Sequence, residues 1–160
     1  MAIDMFIKID TVDGEALDAK HEKAIQLESW AFGANNTGSF KVGTGGGAGK
    51  VEFQDLHCTK LVDSSSPTLL LKCASGEHLK EAILTVRKAG ADNEDYLKIT
   101  LNDVLISNVR QSGQALGDLP MEELTINFSK VEVAYRPQNA DGTLGAAVKG
   151  GWDLKKNQKV

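Results

Sequence analysis

The stretch GTGGGAGK, residues 43 to 50, has a composition typical of a phosphate-binding loop. Glycine-rich turns allow backbone N–H groups to surround an anion, and a following lysine adds positive charge. The P-loop pattern requires glycine at its first position and a hydroxyl residue after the lysine. This chain has Thr44 and Val51 at those two positions, so the sequence does not predict a P-loop.

A dinucleotide-binding pattern, G-x-G-x-x-A, can also be drawn through Gly43, Gly45 and Ala48. That pattern requires a helix immediately afterwards, because the helix N-terminus holds the pyrophosphate. The residues from Val51 to Leu56 instead have the composition of a strand. We therefore interpret the glycine-rich segment as a connection with few side chains that adapts to a neighbouring protein surface, and we expect no cofactor there.

The sequence gives little support to metal binding or to nucleophilic catalysis. The candidate ligands are His57, Cys58, Cys73 and His78, but neighbouring residues of a strand point to opposite faces, and no C-x₂-C spacing occurs. Neither G-x-S-x-G nor a cysteine with a recognisable catalytic partner occurs. We predict two small buried thiols, no metal site and no enzyme activity.

Composition indicates a globular protein. The chain has 160 residues, of which 41% are hydrophobic and 25% charged, so we predict one domain over residues 1–160. No apolar run approaches the roughly 20 residues of a membrane span. The N-terminus lacks a basic region followed by an apolar one, so we expect synthesis in the cytoplasm without a Sec signal. A net charge of −4 disfavours nucleic acid as a partner.

Hydrophobic alternation predicts a mainly β fold. Three apolar segments change their buried parity midway, which we interpret as bulges in long, curved strands. They run from residue 24 to 34, from 51 to 58 and from 124 to 135. We therefore predict a rolled β-barrel or sandwich of two sheets with bulged strands.

One short helix is predicted beside the sheets. Ser66 is the expected N-cap, Pro67 the first helical residue and Gly76 the stop signal. The expected apolar stripe consists of Leu69, Leu70, Cys73 and Ala74. The segment from Glu15 to Lys23 has helical composition, but its apolar stripe is too thin to dock, so we predict a loop.

Many small motifs occur in an order that resembles one known family. They include Asp4-Met-Phe-Ile-Lys-Ile-Asp10, Gly14-Glu15, Lys20-His21, Leu27-Glu-Ser-Trp-Ala-Phe-Gly33, Gly49-Lys50, Asp55-Leu56, Thr59-Lys-Leu-Val-Asp63, Ser66-Pro67, Arg87-Lys-Ala-Gly90, Tyr96-Leu97, Tyr135-Arg-Pro-Gln138, Asp141-Gly142 and Gly151-Trp-Asp153. The whole chain resembles the haemolysin-coregulated protein family, the tube protein of bacterial type VI secretion systems.

The resemblance implies a rolled barrel with one flanking helix. It further implies hexameric rings stacked into a hollow tube, which sheath contraction expels from the cell behind a spike, and a ring lumen that holds small effector proteins. The implied partners are further copies of the chain together with spike, sheath, baseplate and effector proteins. The implied contact with an adjacent ring or subunit is the loop of residues 37–50, whose candidate residues are Thr37, Gly38, Gly43, Thr44, Gly45, Gly46, Gly47, Gly49 and Lys50.

Two alternatives belong to other functional classes. A small-ligand or carbohydrate-binding β-sandwich would use exposed Trp30 or Trp152 as a stacking platform. A nucleotide-handling enzyme would use Lys50, and replacement of that lysine would then abolish ATP binding. The sequence favours the tube protein over both.

Overall fold

The computed structural model describes residues 2–38, 47–88 and 94–160, and most of these lie in β-strands. The elements are β1 Ile3–Ile9, β2 Ile25–Gln26, β3 Ser29–Ala31, β4 Ala34–Gly38, β5 Ala48–Phe53, β6 Leu56–Leu61, α1 Ser66–Ser75, β7 Leu79–Lys88, β8 Asp95–Ser112, β9 Met121–Tyr135, β10 Val148–Asp153 and β11 Gln158–Lys159. The predicted mainly β fold with one short helix is confirmed.

Antiparallel pairing closes the strands into a barrel. Strand β1 pairs with β7, β7 with β8, β8 with β9, and β9 with β6. The segment that contains β2 and β3 closes the barrel, because β2 pairs with β1 and β3 pairs with β6. Between these two short strands, the Leu27 N–H donates to the Met5 carbonyl and the Glu28 N–H donates to the Thr59 carbonyl, each at 2.8 Å. Closure gives these strands partners on both sides, so few unpaired edges remain.

Strand β9 changes both its partner and its buried face along its length. Its first part, residues 121–126, pairs with β6, and its last part, residues 130–135, pairs with β10. Buried positions alternate as far as Phe128 and then resume at Val131. The face switch predicted for this segment is confirmed, but the bulge predicted in it is not: the register shift lies in the neighbouring strand β8, between Ile106 and Asn108. Such a shift bends the sheet and allows it to roll.

The other two predicted bulged strands are wrong. Residues 24–34 form the three short strands β2, β3 and the start of β4, while residues 51–58 divide between β5 and β6. In both segments the parity changes because the chain leaves one partner strand and joins another. Periodicity within a segment cannot distinguish a bulge from a change of partner.

The predicted limits of helix α1 need one correction. Ser65, not Ser66, is the N-cap residue, and its side chain makes no capping hydrogen bond. Pro67 lies in the first turn as expected. The helix ends at Gly76, whose φ of 64° is left-handed and whose N–H reaches the Lys72 and Cys73 carbonyls. Glycine adopts this conformation without a Cβ clash.

The apolar stripe of the helix is narrower than predicted. Leu69 is fully buried and Cys73 partly buried, whereas Leu70 and Ala74 are exposed. The helix lies against β8, and its buried residues are Ser66 and Leu69. Cys58 is fully buried in the core, so the prediction of two buried thiols is correct for Cys58 and only partly so for Cys73.

A buried ionic network joins the start of the helix to the barrel. The Lys60 side chain is fully buried, and its Nζ lies 2.8 Å from Oε1 of Glu122 and 3.0 Å from Oδ1 of Asp63. Lys60 Nζ also donates to Oγ of Ser66 at 3.2 Å. Gln111 donates to the second oxygen of Glu122 at 2.7 Å. Both buried charges are therefore paired and hydrogen-bonded, as burial of charge requires.

The segment from Glu15 to Lys23 is a loop, as predicted. It is held against the barrel by charge pairs and ring contacts. Arg87 of β7 donates to both carboxylate oxygens of Asp18. His21 stacks on Phe6 with ring centroids 4.7 Å apart, and its Nε2 lies 2.9 Å from Oδ1 of Asp95.

Candidate assembly surface

The glycine-rich segment connects two strands that stand apart from the barrel. Strands β4 and β5 form their own two-stranded antiparallel sheet, with a register shift between Asn36 and Gly38. We call these two strands the arm. Every residue of β4 is exposed to solvent. A two-stranded ribbon is only marginally stable by itself, so an exposed one is suited to packing against a partner.

A close backbone approach on the arm requires glycine. A Cβ added to Gly49 would lie 2.7 Å from both the carbonyl oxygen and Oγ1 of Thr37. Nδ2 of Asn36 donates to the Gly49 carbonyl at 2.8 Å and ties the two strands together. Gly49 therefore permits the close approach of the two strands.

The root of the arm is anchored in the barrel by aromatic rings. Phe53 of β5, Phe32 before β4 and Phe128 of β9 have ring centroids 6.0 to 6.2 Å apart. The Gln54 N–H donates to the Gly33 carbonyl at 2.9 Å and closes the base of the ribbon. The position of the arm is thus set by the core, although most of the arm is exposed.

The described part of the chain contains some of the predicted contact residues. Thr37 and Gly38 lie on β4, Gly49 and Lys50 on β5, and Gly47 directly before β5. The remaining four, Gly43, Thr44, Gly45 and Gly46, lie outside the described residues. A strand and not a helix follows the glycine-rich segment, which removes the element that a dinucleotide site would need.

A cleft lies between the arm and the C-terminal segment, and we call it the arm cleft. Its volume is about 480 Å³. Its lining consists of Lys50, Val51, Glu52, Phe53, Trp152, Leu154 and Asn157. Nε1 of Trp152 is buried and finds no hydrogen-bond acceptor among the described residues. A buried N–H without an acceptor is costly.

The C-terminal wall of the arm cleft is fixed by charge. Lys155 Nζ lies 2.6 Å from Oδ2 of Asp103, and Nδ1 of His78 lies 3.2 Å from Oδ1 of the same carboxylate. The hydrogen bonds from Lys155 and then from His78 lower the pKa of Asp103 to about 2. Asp103 therefore stays ionised near neutral pH and continues to hold the turn between β10 and β11.

Sequence reasoning missed the arm cleft. Both candidate stacking residues, Trp30 and Trp152, are partly buried and pack against the core, so neither ring is a fully exposed platform. The sequence carried no signal that would place Trp152 beside β5, because the two segments are about a hundred positions apart.

Across the three described ranges, no group of three or more His, Cys, Asp and Glu side chains is arranged to hold a metal ion.

Comparisons with known proteins agree on one family. The family described as "Type VI secretion system effector, Hcp" matches residues 6–135. Protein hcp1 of Pseudomonas aeruginosa is 48% identical over 159 residues, which cover 98% of each chain. A solved structure described as a type six secretion system protein has a TM-score of 0.94 and 31% identity, covering 99% of this chain and 100% of its own. Hcp1 from Salmonella typhimurium has a TM-score of 0.81 and 33% identity, with both chains fully covered.

Proposed function

This chain belongs to the Hcp family of type VI secretion proteins, and from that premise we propose that it is the subunit of a hexameric ring that stacks into a hollow tube. Membership by itself makes the chain a structural, secreted tube protein and not an enzyme. The closed hexamer, the stacking of rings and the carriage of effector proteins in the ring lumen are the finer parts of the proposal.

The observation that carries the proposal is the exposed arm beside the closed barrel. The barrel strands hydrogen-bond to one another, whereas the arm exposes the whole of β4 to solvent and is anchored at its base by packed aromatic rings. A ring of identical subunits needs one surface of each copy to contact a different surface of the next. The arm and its connection, residues 37–50, supply the contact toward an adjacent ring or subunit.

The remaining parts of the proposal concern partners and location. Residues 1–160 act as one domain. The tube engages spike, sheath and baseplate proteins, and it leaves the bacterial cytoplasm through the contractile machine. In the described ranges, no helix combines the length and apolar character needed to cross a bilayer.

Native mass spectrometry of the purified chain, followed by negative-stain microscopy, tests the ring and the tube. We expect a six-copy species and ring-shaped particles. Deletion of Gly45 to Gly47 should weaken stacking while the barrel stays folded, as judged by an unchanged unfolding transition. A deletion variant that forms tubes as readily as the parent would contradict the role given to the arm.

The carbohydrate-binding alternative predicts a different result. A chain that remains monomeric at every concentration, and whose tryptophan fluorescence responds to added sugars, would favour that alternative over the tube subunit.

A further inference from the structure

A second apolar cluster lies outside the barrel core, beneath the loop that follows β1. Its members are Phe6 of β1 together with Ala16 and Ala24, and each of them is buried. Residues 14–24 supply both alanines, and we call this segment the latch loop. Because two of the three buried side chains are alanines, the apolar area that holds the latch loop down is small. Polar contacts therefore contribute a large share of its closure.

The two ends of the latch loop meet at a hydrogen-bonded neck. The Gly14 N–H donates to the Lys23 carbonyl at 2.7 Å, and the Ala16 N–H donates to the Ala24 carbonyl at 3.0 Å. The Lys23 N–H in turn donates to the Ala16 carbonyl at 3.0 Å. A compact surface loop with closed ends of this kind is able to open as one unit while the barrel stays folded.

Two contacts between side chains hold the body of the latch loop against the sheet. Arg87 of β7 donates to both carboxylate oxygens of Asp18. The hydrogen bond from Arg87 lowers the pKa of Asp18 to about 2, so this contact keeps both of its charges in neutral and mildly acidic solution. The second contact joins Nε2 of His21 to Oδ1 of Asp95 at 2.9 Å, and the His21 side chain is only 13% exposed.

His21 is the latch-loop side chain whose type changes its charge near neutral pH. The charge of Arg87 is already met by Asp18 and by Asp4 of β1, whose Oδ2 lies 3.5 Å from Nε of Arg87. Asp95, at the start of β8, is thus the direct ionic partner of His21 among the described residues. The other charged side chains of the loop and its neighbouring strands are exposed and screened by water: Lys8, Lys20, Glu22, Lys23, Glu94 and Lys98.

We propose that the latch loop is a pH-sensitive latch, held closed over Phe6 when protonated His21 pairs with Asp95 and opening more often when His21 is neutral. A charged hydrogen bond is roughly twice as strong as a neutral one. The closed loop therefore binds the proton more readily than the open loop, and the closed population rises as pH falls. Opening uncovers Phe6 and displaces Leu17, which is 96% exposed. The latch belongs to the single protomer and does not rest on the proposed function.

Rapid-quench hydrogen exchange of the native chain tests the latch, with mass spectrometry of peptides from residues 14–24 as the readout. Protection factors divide out the intrinsic pH dependence of exchange. We expect them to be about threefold to fivefold larger at about pH 5.5 than at about pH 8, as one partly exposed ion pair gives. The comparison is made within one oligomeric state, identified by native mass spectrometry. Equal protection factors at the two pH values would overturn the proposal.

Replacements separate the charge of the histidine from its shape. His21→Gln and Asp95→Asn each remove the ion pair, so both should show the weaker protection of the parent at either pH. His21→Arg keeps a flat group able to stack on Phe6 and adds a permanent charge, so it should show the stronger protection at either pH.

His78→Gln is the matched control for the histidine replacements. His78 directly precedes β7, whereas Arg87, which holds the latch loop, lies near the end of that strand. Its Nδ1 lies 3.2 Å from Oδ1 of Asp103, so this variant also removes a contact between a histidine and a carboxylate. It should keep the pH response of the parent. A response that survives in His21→Gln, or one that is lost in His78→Gln, would show that the latch does not depend on His21.

Discussion

Arg87 of strand β7 donates two hydrogen bonds to the carboxylate of Asp18, 69 positions away, and so joins the barrel wall to the loop that follows β1. The guanidinium of Arg87 lies 5.1 Å from the ring centroid of Phe6, which adds a cation–π contact beneath the same loop. This pair ties an otherwise irregular segment to the barrel wall.

The first prediction concerns acid stability. The hydrogen bond from Arg87 is the main reason that the pKa of Asp18 falls from 3.8 to about 2. The unfolded chain therefore binds the proton more readily, and the stabilisation is complete above 3.8 and is lost as pH falls through 2. Asp18→Asn should lower the urea midpoint at neutral pH, and the difference from the parent should shrink toward pH 2.

The control for that prediction is Asp13→Asn, which removes an exposed pair with Lys8 and should change the midpoint little. An Asp18→Asn difference that stays constant from pH 7 to pH 2 would show that the carboxylate charge of Asp18 does not contribute.

The second prediction concerns the buried network at the helix. Lys60→Met leaves the carboxylate of fully buried Glu122 without its cation, and we expect a loss of about 3–5 kcal/mol in the free energy of unfolding. Lys72→Met is the matched control, because Lys72 pairs with a half-exposed Glu77 and should cost less than about 1 kcal/mol. Denaturant titration measures both variants.

A double variant sharpens the same test. Lys60→Met with Glu122→Leu removes both charges, so its loss should be smaller than the sum of the two single losses. Strict additivity would contradict a direct interaction between the two side chains.

The third prediction concerns the backbone of the arm. Gly49→Ala places a Cβ against Thr37 at 2.7 Å, so the two strands must separate and the arm must change shape. We expect weaker ring or tube assembly in native mass spectrometry, with the unfolding midpoint of the barrel nearly unchanged. Gly150→Ala is the control, because nothing lies within 4 Å of the added Cβ. Equal assembly by both variants would exclude a role for arm geometry.

The fourth prediction distinguishes the two thiols. Burial raises the pKa of Cys58 to about 12, and its side chain is inaccessible, so it should not react with a thiol reagent in the native protein. Cys73 is only partly buried and should react. We expect one modified cysteine per native chain and two in denaturant. Cys73→Ser should then abolish native labelling, and modification of Cys58 in that variant would contradict its burial.

Local patterns in the sequence were sufficient for the type of some elements, such as β1 and α1. Alternation of apolar residues in β1 and the Pro67 and Gly76 signals of α1 depend only on neighbours in the chain, so they were readable without the fold. Exclusion of a P-loop had the same basis, because Thr44 and Val51 occupy defined motif positions.

Pairing between distant strands was decided only by the tertiary structure. A change of buried parity has the same appearance whether a strand bulges, as β8 does between Ile106 and Asn108, or ends and joins another partner, as between β5 and β6. The two cases differ in hydrogen bonds to residues far away in the chain, and periodicity does not contain that information.

The sequence by itself determined the family, the mainly β composition and the presence of an unusual glycine-rich connection. The tertiary structure decided that this connection joins the strands of an exposed arm, and that Trp152 and Phe53 line one cleft, with a Trp152 N–H that is buried and has no acceptor among the described residues. The physical reason is that burial and hydrogen-bond satisfaction depend on all neighbours in space, whereas composition and spacing report only neighbours along the chain.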